Sequence, residues 1–464
     1  MKQYTHVYLL GIGGIGMSAL ARWFCQENIQ VFGYDRASSA LTDQLIQEGM
    51  SIHFEDDIAT IPPAIINNQS TTLVVYSAAI PSHQPLLAYL QANNYQVWKR
   101  AAVLGKITQQ YYTLAIAGTH GKTTTTALAA HVLYSAGKNI TAFLGGIAKN
   151  YQSNLIIRGK ANQDKIIVIE ADEFDRFFLA LHPDIAIVTT ANPDHLDTYT
   201  NQQGVGQGFT AFLDKIPSQG LAILHEQVAK QLLPEPVHQP PMISYALATG
   251  QVHAANIHIH QGSFCFDYIS DAVTIKDICL SIPGTHNIEN ALAVITACLF
   301  LGIDPAAIRN GMNSFQGVKR RFDLIIEQKD LVFLDDYGHH PVEIAALLKT
   351  IRQVYQGRQI AVVFRPNLYT RTRDLAHEFA KSLGLADCVF LLDIYPDRES
   401  PIQGVSAALI FDQLDLRHKY LCTQEDLLDC LAAYGKPEVM VNLGSGGTSQ
   451  LIQPIKEFLL RNWP

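Results

Sequence analysis

The chain has 464 residues, of which 48% are hydrophobic and 16% charged, and its formal net charge is −8. This length predicts about three domains, and the composition is typical of a globular protein without low-complexity segments. The excess of 42 acidic over 34 basic residues argues against nucleic acid as a partner, since its phosphates require a positive surface.

Neither a membrane segment nor an export signal is expected. No window approaches the roughly 18 consecutive apolar residues that a membrane-spanning helix needs. The first apolar run, residues 6–12, continues into a glycine loop and lacks the basic start and the cleavage site of a signal peptide. We therefore expect a cytoplasmic protein without membrane insertion.

The cysteines predict reduced thiols. Seven of them are scattered along the chain without a CxxC pair, a pattern that argues against a disulfide framework and against a zinc cluster. They are Cys25, Cys265, Cys279, Cys298, Cys388, Cys422 and Cys430.

The N-terminal region alternates strand and helix patterns. Strands are predicted at 6–10, 29–34 and 71–77, and helices at 15–26 and 41–49. This alternation is typical of βαβ units on a parallel sheet.

A glycine-rich loop joins the first predicted strand to the first helix. Gly11-Ile12-Gly13-Gly14-Ile15-Gly16 matches G-x-G-x-x-G, and Asp35 stands at the end of the next strand. The N–H groups of such a loop bind a diphosphate, while the acid meets a ribose hydroxyl. The pattern does not distinguish the nucleotide, so an NAD-dependent oxidoreductase and a purely structural turn remain alternatives from this region alone.

A second glycine turn follows the strand predicted at 113–117. It has the sequence Gly118-Thr119-His120-Gly121-Lys122-Thr123 and opens a helix. Consecutive N–H groups hold phosphates at such a turn, Lys122 can reach the β- and γ-phosphates, and the Thr123 hydroxyl can bind Mg2+. Ile116 replaces the first glycine of the strict pattern GxxxxGK[ST], and a tight turn with a surface lysine is the alternative. We predict that ATP binds here.

Acidic clusters follow the next two predicted strands, at 165–170 and 184–189. These clusters are Glu170-Ala171-Asp172-Glu173 and Asn192-Pro193-Asp194-His195-Leu196-Asp197. Because the carboxyl ends of parallel strands lie at one edge of the sheet, both clusters are expected beside the phosphate loop. Carboxylate oxygens suit Mg2+, whereas either cluster alone could be solvated loop charge.

The pattern changes between 252 and 282 to short alternating strands, an expected antiparallel segment, and an apolar helix follows at 288–301. A third α/β series begins near Val318. Its predicted strands are 331–334, 359–364, 387–392 and 438–442, and its helices are 341–355, 374–383 and a closing helix from about 448. The chain is thus predicted to form three α/β domains, at 1–106, 107–318 and 319–464.

Polar side chains follow two adjacent strands of the third series. The first group is Asp335-Asp336-Tyr337-Gly338-His339-His340-Pro341, and the second is Arg365-Pro366-Asn367-Leu368-Tyr369-Thr370-Arg371-Thr372-Arg373. Asp, His and Arg gathered at adjacent strand ends favour an anion site over capping and surface charge.

Taken in order, these segments resemble the muramyl (Mur) ligase family over nearly the whole chain. The segments that carry the resemblance are A-G-T-H-G-K-T-T-T-T at 117–126, E-A-D-E at 170–173, D-H-L-D-T-Y at 194–199, P-G-T-H-N-I-E-N at 283–290, R-R-F at 320–322, D-D-Y-G-H-H-P at 335–341 and Y-T-R-T-R-D at 369–374. The histidine of the phosphate loop and the last two segments are similar to those of the alanine-adding member.

The resemblance implies a Rossmann-like UDP-binding domain, a central ATPase-type α/β domain with the short phosphate loop, and a C-terminal Rossmann-like domain for the amino acid. It reassigns the N-terminal glycine loop from NAD to UDP. The residues implied for the UDP-sugar are Gly11, Gly13, Gly14, Gly16, Met17, Ser18, Asp35 and Ser77.

The family's motifs also imply the remaining site residues. ATP would contact Gly118, Thr119, His120, Gly121, Lys122, Thr123, Thr124, His286, Asn290, Arg321 and Asp336. Magnesium would be held by Thr123, Glu170 and His195, and the amino acid by Tyr337, His339 and Arg371. The residues expected to act in catalysis are Lys122, His195, His339 and Arg371.

The implied activity is the ATP- and Mg2+-dependent joining of L-alanine to the lactyl carboxylate of UDP-N-acetylmuramate through an acyl phosphate, in peptidoglycan precursor synthesis. A monomer or a homodimer is expected. Family members commonly have glutamine, histidine and arginine where this chain has Arg365, Asn367 and Leu368, close to the incoming amino acid. The alternatives are a ligase that attaches a whole tripeptide to the same sugar nucleotide and, from another class, the NAD-dependent oxidoreductase.

Overall fold

The computed structural model describes residues 3–159, 164–172, 174–191, 202–232, 240–396 and 399–463. The chain forms two compact units. Unit 1 consists of Met1–Ile257, Phe266–Cys279 and Ile288–Gln316, and unit 2 of His258–Cys265, Leu280–Asn287 and Gly317–Pro464.

The first sheet is parallel and contains the strands β1 (His6–Leu10), β2 (Gln30–Tyr34), β3 (Ser51–His53), β4 (Thr72–Tyr76) and β5 (Gln96–Lys99). Its order is β3-β2-β1-β4-β5. The helices of this region are α1 (Ile15–Gln26), α2 (Ala40–Gln47), α3 (Pro63–Asn67), α4 (Pro85–Ala92) and α5 (Arg100–Thr108). Because the connections from β1 and from β3 leave towards opposite edges, the loop after β1 lies at the switch point where such sheets bind ligands.

The second sheet contains β6 (Tyr112–Ala117), β7 (Ile140–Ala148), β8 (Ser153–Arg158), β9 (Ile166–Glu170), β10 (Ile185–Val188), β11 (Leu221–His225), β12 (Met242–Tyr245), β13 (Val252–His260), β14 (Ser263–Ser270) and β15 (Thr274–Leu280). Its order is β15-β14-β13-β12-β11-β10-β6-β9-β7-β8, with β6 parallel to both β10 and β9. The helices are α6 (Lys122–Ser135), α7 (Gln202–Leu213), α8 (Glu226–Leu232), α9 (Thr285–Phe300) and α10 (Pro305–Ser314).

The third sheet, in unit 2, contains β16 (Asp323–Glu327), β17 (Val332–Asp336), β18 (Ile360–Phe364), β19 (Cys388–Leu392), β20 (His418–Cys422) and β21 (Val439–Leu443). Its order is β16-β17-β21-β18-β19-β20, and only the pair β16–β17 is antiparallel among these described strands. The helices are α11 (Pro341–Val354), α12 (Tyr369–Asp374), α13 (Ala376–Leu383), α14 (Ala408–Phe411), α15 (Leu427–Tyr434) and α16 (Ile452–Asn462). β18 and β19 are apolar and buried along their whole length, as expected for parallel strands covered on both faces.

The predicted α/β class with parallel sheets is confirmed. The observed bounds of β1 and α1 are the predicted ones, and α11 ends one residue before the prediction. The closing helix begins later than expected, because residues Thr448–Leu451 form a 3-10 turn ahead of α16. The domain boundaries near 106 and 318 stay predictions.

Two other expectations concern membrane segments and cysteines. Within the described ranges, every helix falls short of the length or apolar character that a membrane crossing requires.

The prediction of reduced thiols is wrong for Cys265 and Cys279, which are disulfide-bonded. These residues belong to β14 and β15, which neighbour each other in the second sheet, a proximity that spacing along the chain does not reveal. The free thiols are Cys25, Cys298, Cys388, Cys422 and Cys430.

Within unit 1, helix α1 is fixed to strand β8 by a buried hydrogen-bond network around Asn154. The Asn154 side-chain amide donates to Ile15 O (2.6 Å) and to Ser18 Oγ (2.8 Å), and its oxygen accepts from Arg22 Nη1. Arg22 in turn forms a bidentate ion pair with Glu48, with both N–O distances at 2.8 Å. Because α1 starts directly after the N-terminal glycine loop, this network sets the position of that loop relative to the second sheet.

Replacing Asn154 by alanine should destabilise unit 1. The substitution removes the hydrogen bonds of the Asn154 side chain to Ile15 O, Ser18 Oγ and Arg22 Nη1, which we expect to cost about 2–4 kcal/mol. The unfolding midpoint of unit 1 in urea would measure this loss. Asn93→Ala, at an exposed helix end where the amide bonds only to Tyr89 O, is the matched control and should change stability by less than about 0.5 kcal/mol. Equal effects of the two substitutions would contradict the role of Asn154.

Candidate active site

The N-terminal glycine loop lies between β1 and α1. Gly11 has a φ of +82°, in the left-handed region that glycine adopts without strain. The Asp35 carboxylate accepts a hydrogen bond from Gly13 N (2.7 Å), and a Cβ atom at Gly13 would lie 2.9 Å from the same oxygen. Asp35 therefore fixes the loop, and Gly13 permits the close approach. The contact of Asp35 with a ribose stays a prediction.

Three further predicted sugar-nucleotide residues surround this loop. Gly14 is the N-cap of α1, and Gly16 lies in its first turn. Ser77 follows β4 and donates its N–H to Leu10 O (3.1 Å), and a Cβ at Gly11 would lie 3.2 Å from the Ser77 Cβ. The structure thus brings these residues together at the carboxyl end of β1.

Met17 and Ser18 have a different environment. Both are buried, and Met17 belongs to the hydrophobic core of unit 1. The Ser18 hydroxyl donates to Ile15 O (3.0 Å) and accepts from Asn154. The side-chain contacts of both residues are structural, and their role in sugar-nucleotide binding stays a prediction.

The phosphate loop lies between β6 and α6 and is anchored to the end of β10. Thr190 accepts hydrogen bonds from Thr119 N at its carbonyl oxygen (3.0 Å) and from His120 N at its hydroxyl (2.9 Å). Gly118 has a φ of +126°, and a Cβ there would lie 2.3 Å from Thr189 Oγ1. No other residue type could therefore occupy this position without moving β10.

Lys122, Thr123 and two carboxylates form the polar centre of this region. Lys122 Nζ donates to Gly118 O (2.8 Å) and lies 3.9 Å from Asp172 Oδ1. Thr123 Oγ1 donates to Glu170 Oε2 (2.9 Å). The predicted phosphate-binding lysine and the predicted metal-binding hydroxyl therefore meet the acidic end of β9, as expected from adjacent parallel strands.

The predicted magnesium site is described only in part. Thr123 and Glu170 present hard oxygen atoms of the kind that Mg2+ prefers. His195 and Glu173 lie outside the described residues. Among the residues that are described, no group of three or more His, Cys, Asp or Glu side chains could hold a metal ion.

Three further residues predicted to bind ATP, namely Asn290, Thr124 and His286, lie in different parts of the structure. A Cβ at Gly121 (φ +81°) would lie 2.9 Å from Asn290 Oδ1, so Asn290 of α9 approaches the phosphate loop. Thr124 is buried in the first turn of α6. His286 belongs to unit 2 and is exposed.

In unit 2, Asp336 ends β17 with its carboxylate buried. It accepts hydrogen bonds from Phe322 N (2.7 Å) and Gly338 N (2.8 Å). Burial raises the pKa of Asp336 to about 6, and the Arg321 guanidinium opposes this shift. Asp336 therefore holds the two loops that flank it, and its contact with ATP stays a prediction.

His339 lies among aromatic and charged groups. Its ring centroid is 5.3 Å from that of Tyr337 in an edge-on arrangement, and the Arg321 guanidinium lies 4.9 Å from the Tyr337 ring centroid. Burial lowers the pKa of His339 to about 4, and Glu343 opposes this shift. The positive charges of Arg371 and Arg321 lower this pKa further. His339 is thus a neutral imidazole at neutral pH.

Arg371 is tied to one of the positions where the chain departs from the family pattern. Its Nη1 donates to Asn367 Oδ1 (3.2 Å). Leu368 is the N-cap of α12 and has a φ of +68°, a backbone conformation that costs a non-glycine residue roughly 1–3 kcal/mol. Of the substituted positions, Asn367 therefore lies directly beside the arginine predicted to bind the amino acid.

A further glycine loop in unit 2 is absent from the sequence-based prediction. It comprises residues 444–448 and follows β21, at the same sheet edge as Asp336. Arg320 donates to Gly444 O and Thr448 Oγ1 (2.6 Å each) and pairs with Asp335 at 3.0 Å. The sequence feature that could have predicted this loop is the cluster Gly-Ser-Gly-Gly, which directly follows a buried strand.

Comparison with known proteins gives three family matches in chain order. Residues 6–112 match "Mur ligase family, catalytic domain", residues 116–298 match "Mur ligase middle domain", and residues 320–446 match "Mur ligase, glutamate ligase domain". These matches confirm the predicted three-domain organisation.

Curated relatives extend over the full chain. A UDP-N-acetylmuramate–L-alanine ligase from Parabacteroides distasonis is 42% identical over 464 residues, covering 99% of this chain and 98% of that protein. The protein of the same name from Christiangramia forsetii is 41% identical over 460 residues, with 99% of each chain covered.

Solved structures agree with these relatives. The UDP-N-acetylmuramate–alanine ligase of Thermotoga maritima has a TM-score of 0.82 at 25% identity and covers 98% of this chain and 99% of its own. A murein peptide ligase from Psychrobacter arcticus shares the fold, with a TM-score of 0.70 at 22% identity and 98% of each chain covered. This chain therefore belongs to the Mur ligase family.

Proposed function

We propose that the protein joins L-alanine to the lactyl carboxylate of UDP-N-acetylmuramate at the expense of ATP, in peptidoglycan precursor synthesis. The observation that carries this proposal is the meeting of Lys122, Thr123 and Glu170 at the phosphate loop of a Mur ligase chain. Full-length relatives at 41% and 42% identity bear the name of this activity. We expect the reaction to take place in the cytoplasm, where ATP and nucleotide sugars are available.

The first step forms an acyl phosphate. A carboxylate oxygen of the sugar nucleotide attacks the γ-phosphorus, and the bond to the β–γ bridging oxygen breaks, so that ADP leaves. Lys122 would leave the Gly118 carbonyl oxygen and donate to the phosphate. Thr123 and Glu170 would hold Mg2+, which neutralises phosphate charge when it is bound.

The second step forms the amide. The free amine of L-alanine attacks the acyl carbon, phosphate leaves, and the amine loses a proton. In this proposal Arg371, positioned by Asn367, binds the carboxylate of the amino acid. The neutral His339 imidazole is available to accept the amine proton.

Phosphate release is the experiment that tests the function. The protein is incubated with ATP, Mg2+ and UDP-N-acetylmuramate, together with L-alanine, glycine, L-serine, the peptidoglycan tripeptide or no acceptor. Release that requires both the sugar nucleotide and L-alanine is the expected result. Release only with the tripeptide would replace the proposal by the recycling ligase. No release from folded protein that binds ATP would refute the proposed acid substrate.

Lys122→Ala should reduce turnover by about 10²–10³-fold or more, because the phosphate loop loses the charge that stabilises the transferred phosphoryl group. The matched control is Lys138→Ala, which removes a lysine just beyond the opposite end of α6 whose Nζ lies 3.5 Å from Leu301 O. Steady-state phosphate release measures the turnover of the two variants. Retention of most of the activity by Lys122→Ala would show that the loop assignment is wrong.

His339 should make unit 2 less stable as the pH falls. Its pKa is about 4 in the folded protein and 6.5 without the fold, so lowering the pH protonates the unfolded state first. The resulting loss begins near pH 6.5, reaches about 2 kcal/mol at pH 5 and is complete below pH 4. Between pH 7 and pH 5, the free energy of unfolding of His339→Gln should therefore fall by about 2 kcal/mol less than that of the unsubstituted protein.

Urea unfolding of unit 2 at both pH values measures this difference. The matched control is His418→Gln, at an exposed histidine of β20 in the same unit. Its free energy of unfolding should change between the two pH values as much as that of the unsubstituted protein does. An identical pH response of His339→Gln and His418→Gln would argue that His339 is not held neutral by the fold.

A further inference from the structure

The three positions of unit 2 at which this chain departs from the family pattern all contact Tyr395, which lies shortly after β19. The Arg365 guanidinium lies 5.3 Å from the centroid of the Tyr395 ring. Asn367 forms an isolated parallel β-bridge with Tyr395, and Leu368 N donates to Tyr395 O (3.3 Å). Because one residue receives all three contacts, the departures form a connected group.

The Tyr395 ring also lies against the glycine loop that follows β21. A Cβ atom at Gly446 would overlap Tyr395 Cδ1, and one at Gly447 would lie 3.0 Å from Cδ2 and Cε2 of the same ring. Arg365 Nη1 lies 3.1 Å from the Cβ position of Gly447 and donates to Gln424 Oε1 (3.0 Å). The ring is therefore in contact with both the loop and the guanidinium, and the guanidinium is itself held in place.

Tyr395 and Glu399 hold the start of helix α12. Tyr395 N donates to Pro366 O (2.8 Å), just ahead of the helix. Thr370, in the first turn, donates its N–H to Glu399 Oε2 (3.0 Å) and its hydroxyl to Glu399 Oε1. The same helix carries Arg371, the residue predicted to bind the amino acid. The position of Tyr395 therefore helps to set the position of this helix.

We propose that Arg365 is a positioning residue for amino-acid binding, which fixes Tyr395 on the glycine loop and through it the start of α12. This inference rests on the proposed function, in which Arg371 binds the carboxylate of L-alanine. A guanidinium suits the role because it is planar, permanently charged and attracted to the face of an aromatic ring.

Loss of Arg365 should weaken amino-acid binding without changing the reaction of the bound amino acid. A displaced Arg371 holds the carboxylate less well in the ground state and in the transition state alike, which raises KM and leaves kcat unchanged. In steady-state phosphate release, Arg365→Ala should raise the KM for L-alanine by about 3- to 30-fold. The values of kcat and of the KM for ATP and for UDP-N-acetylmuramate should change by less than about 2-fold.

Arg358→Ala is the matched control. The Arg358 guanidinium lies 5.7 Å from the centroid of the Tyr355 ring, and the residue precedes β18 where Arg365 follows it. Its removal should leave the KM for L-alanine unchanged. An equal rise in this KM for Arg358→Ala and Arg365→Ala would contradict the proposal.

Substitutions of the ring and of the loop test the same link without touching Arg365. Gly446 lacks a positive φ, so its backbone accepts alanine, but the new methyl group would displace the Tyr395 ring. Gly446→Ala and Tyr395→Leu should therefore reproduce the rise in the KM for L-alanine, whereas Tyr395→Phe keeps the ring and should rescue it. An unchanged KM in Gly446→Ala and Tyr395→Leu, or an equal rise in Tyr395→Phe, would overturn the proposal.

Hydrogen exchange measures the positioning directly and requires no turnover. Followed by mass spectrometry on the peptide that contains the start of α12, exchange at the Leu368 and Thr370 amides should be about 3- to 30-fold faster in Arg365→Ala and Gly446→Ala. Arg358→Ala should leave the exchange unchanged. Unaltered exchange in Arg365→Ala and Gly446→Ala would show that the guanidinium and the loop do not support the helix.

The proposed function can fail independently of this inference. If the unsubstituted protein releases no phosphate with L-alanine, or if Arg371→Gln leaves the KM for L-alanine unchanged, the proposed function or the role of Arg371 is at fault, and hydrogen exchange still decides whether Arg365 positions α12. If Arg371→Gln raises this KM and Arg365→Ala does not, the function stands and the role of Arg365 is refuted.

Discussion

Repulsion between anions is the constraint on which the active region depends. The proposed reaction brings a carboxylate to a triphosphate, and the described side chains around the phosphate loop already include Glu170 and Asp172. At an effective dielectric constant of 20, each added negative charge about 4 Å away would cost about 4 kcal/mol. A further anion can therefore bind in this region only if cations are held there in fixed positions. Lys122 is one, and the metal that Thr123 and Glu170 would hold is another.

The fold of unit 1 meets this constraint by rigid packing. Parallel strands place the loops after β1 and β6 at the carboxyl edges of their sheets, where backbone N–H groups at helix starts favour negative charge. The Asn154 network then attaches α1 to β8, and helix α5, which Arg100 starts, leads directly into β6. Both glycine loops consequently belong to one compact unit.

The sequence predicted those parts of the site that depend on local pattern. Glycine spacing located both loops of unit 1, and apolar runs located the strands whose ends carry Glu170 and Asp336. It did not predict contacts between segments far apart in the chain. Ser18 matches a family motif, yet its hydroxyl is enclosed by packing against Asn154, and Arg100 is one basic residue of a helix start until folding places it on Gly16. Such partners follow from the tertiary structure, in which sheet order and helix packing decide which side chains meet.

Unit 2 has its own group of positive charges, which can serve the second step. Arg321 and Arg371 help to lower the pKa of His339, so the imidazole stays unprotonated but binds a proton weakly. An α-ammonium group placed beside these guanidinium groups would meet the same positive field, and its pKa would fall as well. The field therefore favours the free amine, which is the nucleophile that the acyl phosphate requires. Since proton loss is assisted before attack, a strong base is unnecessary, and a weakly basic imidazole that is neutral at pH 7 needs to hold the proton only transiently.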